Sequence, residues 1–298
     1  MNLPKNSTLA TRIADKYHKF TPLDRLLAEY LVNNTCEAVF LSARELAQKT
    51  AVSLATVVRF VRHLGYADYR EFLRDMREQI DIRMSLPDRA AMLENGSSIE
   101  SRIEREISGE IENLRYLKSQ LDLGLLHSIA ERIWRSQQIA VIGARMSLSI
   151  SCYFSWALSR LRPQVINLDG GNKNSLDWLT LSPKDTLVIL FTVMRYPNDL
   201  LRLSKVVRDQ GKELVVIADS KRCPMFEFST YHFSVPCQNF PLVGNPSALA
   251  CVTNCLLYCM IYNHREEVKQ HHNILESFYR ENDIFFNPND KSRLIDHL

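Results

Sequence analysis

Between residues 139 and 235 the sequence alternates short apolar runs, rich in β-branched residues, with spans of helical length. The five runs are residues 139–142, 165–168, 186–191, 214–218 and 231–235. The clearest helical spans between them are residues 148–161 and 198–210. Strands that alternate with helices pair in parallel, because each helix carries the chain back to the edge where the previous strand began. This part of the chain is therefore predicted to be an α/β three-layer sandwich with a parallel sheet.

The first 80 residues contain only helical patterns joined by short turns. Ser42 is followed three residues later by Glu45, which is the pattern of a capping box at the start of a helix. Ser53 caps a second helix over residues 54–64, which ends at a glycine. Two short helices joined by a turn of about four residues predict an all-α helix-turn-helix domain, with the motif at about residues 43–62.

The second helix of this motif has an apolar face, formed by Val57, Val61 and Leu64, and a basic face. The N-terminal residues of such a helix contact base edges, and flanking cations contact phosphates. The residues predicted to read bases are Ser53, Ala55, Thr56 and Arg59. The further residues predicted to face DNA or its phosphates are Lys49, Arg62, His63, Arg70 and Arg74. The alternative is a solvated helix face that is basic without binding DNA.

The positive charge of the chain is concentrated in this same region. The 298 residues have a formal net charge of +3; residues 1–90 contain 14 Lys and Arg against 11 Asp and Glu, and the rest contain 23 of each. The excess charge thus lies where double-stranded operator DNA is expected to bind. Because 46% of residues are hydrophobic and no apolar run reaches the ~20 residues of a membrane span, we expect a folded cytoplasmic protein that contacts no membrane.

Residues 51–72, with the sequence AVSLATVVRFVRHLGYADYREF, resemble the signature of RpiR-type bacterial transcriptional regulators. In that family a recognition helix is followed by a segment with three aromatic positions, filled here by Tyr66, Tyr69 and Phe72. The spacing of three residues places these rings on one face, where we expect them to pack against the recognition helix. The resemblance implies a DNA-binding transcriptional regulator whose C-terminal part is a sugar-isomerase (SIS) domain that senses phosphorylated sugars.

The predicted layout has a helix-turn-helix domain at residues 1–80 and a SIS-like effector-sensing domain at residues 121–265. A polar C-terminal extension follows at residues 266–298, and the histidines at its start are expected to be solvated. Residues 81–120 link the two domains and contain an amphipathic helix. Its apolar positions are Ile99, Ile103, Ile107, Ile111 and Leu114. This stripe packs either on the C-terminal domain of the same chain or on a partner helix.

The loops after the first and third strands carry the departures from the SIS pattern. The first loop, usually G-x-G-x-S, is GARMS at residues 143–147. The third, usually S-x-S-G-x-[ST], is FTVMRY at residues 191–196, with one hydroxyl near its start, at Thr192, and no glycine. Arg145 and Arg195 therefore stand in loops whose residues are usually small. Two guanidinium groups at the carboxyl ends of adjacent parallel strands can together hold a carboxylate or a phosphate.

The predicted effector is therefore a small anionic metabolite, either a sugar phosphate or a sugar acid. The predicted effector-binding residues are Gly143, Arg145, Ser147, Thr192, Arg195, Tyr196, Asn245 and Ser247. Two alternatives stay open. Either the arginines form salt bridges at a domain or subunit interface, or the pocket has degenerated and the regulator binds DNA without a ligand.

A SIS-fold sugar-phosphate isomerase is the alternative from another functional class. Isomerisation needs a carboxylate or a histidine beside the sugar as a proton shuttle. The pocket positions carry arginine and hydroxyl groups instead, and the nearest carboxylate, Asp169, is equally suited to capping a turn. We therefore expect no enzyme activity, no catalytic residue, no metal and no cofactor. We also expect a homodimer or higher homo-oligomer, because one helix-turn-helix reads half of a symmetric operator and SIS domains, by resemblance, pair.

Overall fold

A computed structural model describes residues 9–39, 41–81, 87, 98–235, 237 and 246–285. The chain forms two compact units, the first extending to Ile99 and the second beginning at Glu100. Within the described residues, no helix combines the length and the apolar character needed to cross a membrane.

The described residues of the first unit form helices joined by turns and contain no strand. Its α-helices are α1 (Leu9–Lys16), α2 (Pro22–Asn33), α3 (Thr35–Ala38), α4 (Ala43–Lys49), α5 (Leu54–His63) and α6 (Tyr69–Asp81). The capping box predicted for α4 is present, with the Ser42 hydroxyl accepting from the Glu45 amide and the Glu45 carboxylate accepting from the Ser42 amide. Helices α4 and α5 thus confirm the predicted helix-turn-helix, whereas α1 and α3 were not predicted.

The three aromatic residues after α5 are structural, as predicted. Phe72 is fully buried and Tyr66 nearly so, and both rings lie in the core of the first unit with their centroids 5.5 Å apart. The hydroxyl of Tyr69 donates to the Leu41 carbonyl at 3.0 Å. These contacts fix α6 against α5 and the end of the α3–α4 connection.

The second unit is an α/β domain preceded by a long helix. Its α-helices are α7 (Ile99–Gln120), α8 (Leu123–Arg135), α9 (Met146–Leu161), α10 (Lys173–Leu181), α11 (Asn198–Asp209), α12 (Ser247–Asn263) and α13 (Arg265–Glu281). Its strands are β1 (Ile139–Gly143), β2 (Val165–Asp169), β3 (Leu187–Thr192), β4 (Leu214–Ala218) and β5 (Tyr231–Ser234). All five strands were predicted, with ends that differ by no more than one residue.

The five strands pair in parallel in the order β2-β1-β3-β4-β5. Strand β1 lies between β2 and β3, with Ile142 opposite both Leu168 and Leu190. The chain passes from β1 to β2 on one side and then crosses from β2 to β3 on the other side of β1. The carboxyl ends of β1 and β3 therefore form the switch point, which is where ligands bind in open α/β sheets. The predicted parallel sheet is confirmed.

The helices cover both faces of this sheet, which gives the predicted three layers. One core joins α8, α9 and α12 to strand residues such as Val141, Ile189 and Val215. The other joins α10 and α11 to Ile142 and Leu190 among others. Neighbouring strand residues therefore face opposite cores, and both faces are apolar because both are covered.

The C-terminal segment departs from the expected solvated extension. Helix α13 packs on the second unit through Val268, which is buried, and His271 hydrogen-bonds to the Ser159 carbonyl at 3.1 Å. His264 stacks on Trp134 with ring centroids 4.3 Å apart and lies 2.9 Å from the Glu131 carboxylate. The expectation of solvated histidines was therefore wrong for His264 and His271, whereas His272 is exposed; residues 286–298 of the predicted extension lie outside the described residues.

Candidate DNA-binding face and effector site

The exposed face of α5 carries most of the residues that were predicted to contact DNA. Arg59, Arg62 and His63 are exposed along the helix, and Ser53 and Ala55 are exposed at its start. The Ser53 hydroxyl also caps the helix by accepting from the Thr56 amide at 3.1 Å. Ser53, Ala55 and the basic side chains of α5 therefore point away from the core of the first unit.

Thr56 is the exception, and its predicted place on the exposed face is wrong. Its side chain is only 6% exposed, and its hydroxyl forms a 2.8 Å hydrogen bond with the Ser53 hydroxyl. The buried stripe of α5 is wider than predicted because Thr56 packs inward beside Val57, Phe60 and Val61. Leu54, which was not predicted, is exposed at the first helical position and adds an apolar group to the face.

His63, the last residue of α5, also contacts the start of α2 and the end of α1. Its Nδ1 lies 3.4 Å from the Asp24 carboxylate in the first turn of α2, and its carbonyl accepts from the Lys16 ammonium at 2.7 Å. Asp24 itself is fully buried and closes the capping box of α2 with Thr21. A DNA contact by His63 therefore remains a prediction, whereas its role within the first unit is visible.

The cations predicted to contact phosphates lie around this face. Lys49 is exposed at the end of α4, Arg70 is exposed at the start of α6, and Arg74 is partly buried one turn later. Their contacts with phosphate stay predictions.

In the second unit, the loop after β1 is compact because of Gly143. A Cβ at this position would lie 2.4 Å from the Ser147 carbonyl oxygen, so the first turn of α9 approaches the strand as closely as a glycine allows. Ser147 is buried, and its hydroxyl accepts from the Ala144 amide at 3.1 Å and donates to the Ala144 carbonyl at 2.9 Å. Ser147 was predicted to bind the effector with its hydroxyl. Instead, the hydroxyl is buried and is hydrogen-bonded within the loop, which it stabilises.

Arg145 and Arg195 share an unusual backbone geometry. Arg145 has φ 55° and ψ −123° immediately before α9, and Arg195 has φ 63° in the loop between β3 and α11. Both side chains are exposed, and neither guanidinium forms an ion pair with any residue in the described part of the chain. Positive φ is costly for residues with a Cβ, and such outliers cluster at ligand sites. Among the described residues of this unit neither arginine has an acidic partner, and the alternative of salt bridges at a domain or subunit interface stays open.

The third loop is organised around Asp219, which follows β4 and was not predicted as a site residue. Its carboxylate accepts from the Met194 amide at 2.7 Å and from the Tyr196 hydroxyl at 3.1 Å. Burial, together with the nearby Asp219 charge, raises the pKa of Tyr196, so its hydroxyl is a neutral donor. Thr192 is fully buried, and its Oγ1 has no hydrogen-bond partner among the described residues.

The remaining predicted residues concern the start of α12. Ser247 is exposed at the first position of this helix, whereas Asn245 lies outside the described residues. The Ser247 hydroxyl hydrogen-bonds to the carboxylate of Glu110, a residue of α7 that was not predicted. No sequence pattern pointed to Glu110, because its proximity to α12 arises from packing between distant segments.

Comparison with protein families gives two matches that together cover most of the chain. A family described as "Helix-turn-helix domain, rpiR family" matches residues 7–81, and the SIS domain family matches residues 132–263. The first match spans α1 to α6, and the second spans the parallel sheet with helices α9 to α12.

Individual relatives agree with this assignment. An uncharacterized HTH-type transcriptional regulator of Providencia stuartii is 22% identical over 211 residues, which are 71% of this chain and 74% of the relative. A structure of the Vibrio vulnificus NanR protein complexed with ManNAc-6P has a TM-score of 0.56 at 18% identity, covering 94% of this chain and 100% of that chain.

A second structure, the sugar isomerase domain of an RpiR transcription factor from Sphaerobacter thermophilus, has a TM-score of 0.55 at 19% identity. It covers 57% of this chain and 96% of that chain. At these identities the structures support the fold, and the two family matches supply the relationship. The chain belongs to the RpiR-type transcriptional regulators, in which a helix-turn-helix domain precedes a SIS domain.

Proposed function

We propose that this regulator binds a small anionic sugar derivative, a sugar phosphate or a sugar acid, at the carboxyl ends of β1 and β3. The observation that carries this proposal is the geometry of Arg145 and Arg195. Each holds a strained backbone conformation, and each leaves an exposed guanidinium without an ion pair in the described chain. Strain of this kind persists where a function retains it.

The surroundings favour an anion at the same place. Arg145 directly precedes α9, and Arg195 lies three residues before α11, so both residues stand near helix N-termini, whose dipoles attract negative charge. Two arginines can bind a phosphate or a carboxylate bidentately, which gives orientation as well as affinity. The unpartnered Oγ1 of Thr192 supplies a further hydrogen-bonding group at the end of β3.

The sugar part of the proposal draws on the similar NanR protein, whose structure is described as a complex with ManNAc-6P. That ligand combines a phosphate with hydroxyl groups and an amide. A ligand of the same general class suits a site that offers both guanidinium and neutral hydrogen-bonding groups.

The proposed response is a change in operator binding by a homodimer or higher homo-oligomer. An apolar stripe on α7 remains exposed and is available to a second copy; its residues are Ile99, Ile103, Ile107, Ile111 and Leu114. In a dimer, the effector would favour one arrangement of the two protomers and thereby change the separation of the two recognition helices. DNA contact is proposed through the exposed face of α5.

The test is a ligand panel of sugar phosphates, sugar acids and keto acids, measured by thermal shift and calorimetry on the full chain. A ligand should raise the melting temperature of the wild type, and Arg145→Ala or Arg195→Ala should remove most of its affinity. The same ligand should change the affinity for operator DNA in gel shifts. If both variants respond as the wild type does, the arginines do not bind the ligand; if no anion binds, the ligand-free regulator is the better hypothesis.

A further inference from the structure

The outward surface of α9 and α12 differs from that of the helices on the other side of the sheet. Helix α12 contains no Asp, Glu, Lys or Arg in its 17 residues, and α9 contains one, Arg160, in 16. On the opposite side of the sheet, α11 carries five charged side chains in 12 residues, and all five are exposed. Helix α11 thus shows the charged outer face that is usual for a helix between a core and water, and α9 and α12 do not.

Aromatic side chains occupy the outward surface of these two helices instead. Trp156 on α9 is 60% exposed, and Tyr258 and Tyr262 on α12 are 71% and 68% exposed. Tyr153 lies one turn before Trp156, and its hydroxyl donates to Oδ1 of Asn254 on α12 at 2.6 Å. Asn254 lies one turn before Tyr258, so the hydrogen bond joins the two sets of rings side by side. These five residues define the α9–α12 face.

The uncovered area of the α9–α12 face is large. An aromatic side chain offers roughly 200 Å² for burial, so the four rings at their observed exposures leave roughly 500 Å² uncovered. Apolar patches of this size on a protein surface are often functional. A stable interface buries about 800 Å² on each partner. The four rings thus supply more than half of one partner's share, and neighbouring residues such as Cys255 and Ile261 add to it.

The composition of this face suits a second copy of the same chain. Tyrosine and tryptophan are enriched at the centres of protein interfaces, and charged residues are depleted there. An uncharged face can meet itself across a two-fold axis without bringing like charges together. The single cation of the two helices, Arg160, places its guanidinium 5.5 Å from the centroid of the Trp156 ring. A partner selected by charge would therefore find little to recognise on this surface.

We propose that two copies of this chain pair through the α9–α12 face, with Trp156 and Tyr258 as the principal contacts. The inference rests on the homo-oligomer of the proposed function and does not depend on its effector site. The interface is isologous, because each copy presents the same face. Helix α9 begins directly after Arg145, so the proposed interface and the proposed anion site share one helix.

The test measures the mass of the full chain in solution by sedimentation velocity and light scattering at micromolar concentrations. The wild type should be a dimer or a larger oligomer. Trp156→Glu and Tyr258→Glu should each at least halve its mass, and the dissociation constant should rise roughly 30-fold or more, as for the loss of an aromatic hot spot. Leu181→Glu is the matched control and should keep the wild-type mass, because Leu181 is 86% exposed at the end of α10, on the other side of the sheet.

A charge-exchange experiment separates a broken interface from a misfolded variant. Tyr258→Lys alone should dissociate as Tyr258→Glu does. An equimolar mixture of the two variants should regain the wild-type mass, because a face that carries glutamate then meets a face that carries lysine. Recovery would also identify the occupant of the face as a second copy, since the mixture holds no other protein. A mixture that stays dissociated would show that the two faces do not meet.

The outcomes separate this inference from the proposed function. A wild type that is monomeric refutes both this interface and the proposed homo-oligomer, while the binding of anions by Arg145 and Arg195 is decided by the ligand panel. Trp156→Glu and Tyr258→Glu variants that keep the wild-type mass refute this inference alone. If Ile107→Glu on the α7 stripe dissociates the oligomer and the two face variants do not, the copies pair through α7 instead.

Discussion

Arg145 and Arg195 are predicted to lower the stability of the second unit while they raise its affinity for an anion. The combination of φ 55° and ψ −123° at Arg145 is readily adopted by glycine and is strained for a residue with a Cβ. Arg195, at φ 63°, is in the left-handed region. Holding a non-glycine residue in such a conformation costs of order 1–3 kcal/mol.

Replacing either arginine by glycine should therefore stabilise the unit. Glycine relieves the Cβ strain but makes the unfolded chain more flexible, which offsets about 0.5–1 kcal/mol of the gain. A net gain of about 1 kcal/mol per site remains, and in a domain of roughly 200 residues it raises Tm by about 2–4 °C. The same change removes a charge-assisted contact, so the affinity for a hexose 6-phosphate should fall roughly tenfold or more.

The assay is calorimetric unfolding of Arg145→Gly and Arg195→Gly, together with titration of each variant with the sugar phosphate. The alanine variants serve as controls because they keep a Cβ at positive φ; they should lose affinity without gaining stability. Glycine variants that bind as tightly as the wild type would show that the arginines are not ligands. A fall in Tm for both glycine variants would show that these loops are not strained.

Three further perturbations test the recognition helix, the core of the first unit and the contacts of α13. Arg59→Ala should lower the discrimination between operator and scrambled duplexes by about 1–3 kcal/mol in competition gel shifts, whereas Arg74→Ala should weaken binding to both equally; an unchanged specificity ratio in Arg59→Ala would contradict the assignment of base contacts. Phe72→Ala should cost about 3–5 kcal/mol in denaturant unfolding because Phe72 is fully buried, and unchanged stability with weaker DNA binding would point to base stacking instead. The pKa of Glu131 is lowered by hydrogen bonds from Asn263 and then His264, so its carboxylate stabilises the fold above the ordinary glutamate pKa and this stabilisation is lost as pH falls through the lowered pKa. The wild type should therefore have a higher Tm than Glu131→Gln at neutral pH, and the difference should vanish in acid; a difference independent of pH would contradict this coupling.

The elements that the sequence predicted well are those specified by local patterns. The strands of the second unit are short runs of β-branched and apolar residues buried on both faces, and that pattern requires no knowledge of their neighbours. Helix α4 is bounded by a capping box between Ser42 and Glu45, three residues apart. Local hydrogen bonds of this kind can be recognised from spacing alone.

The residues that the sequence did not predict depend on contacts between distant segments. Glu110 meets Ser247 across 137 positions, and Asp219 meets the Met194 amide because β3 and β4 are neighbours in the sheet. Thr56 was misplaced for a related reason. A helical wheel gives the angular position of each residue but not the width of the buried stripe. In α5 this stripe extends beyond the predicted residues and includes Thr56.

The loops that bear Arg145 and Arg195 combine a backbone conformation suited to glycine with a long charged side chain. Glycine-rich loops bind anions through backbone amides, which need close approach and carry only partial charge. A guanidinium reaches further and carries a full charge, so a ligand held by Arg145 and Arg195 would be bound through exposed ion pairs. Such pairs are screened as the Debye length falls from about 10 Å at 0.1 M salt to about 3 Å at 1 M. The affinity of the wild type for a hexose 6-phosphate should therefore decrease steadily over this range in calorimetric titrations, and the decrease should be shallower in Arg145→Ala. An affinity that does not change with salt would mean that the ligand is held by the amides and Thr192, and that the arginines act elsewhere.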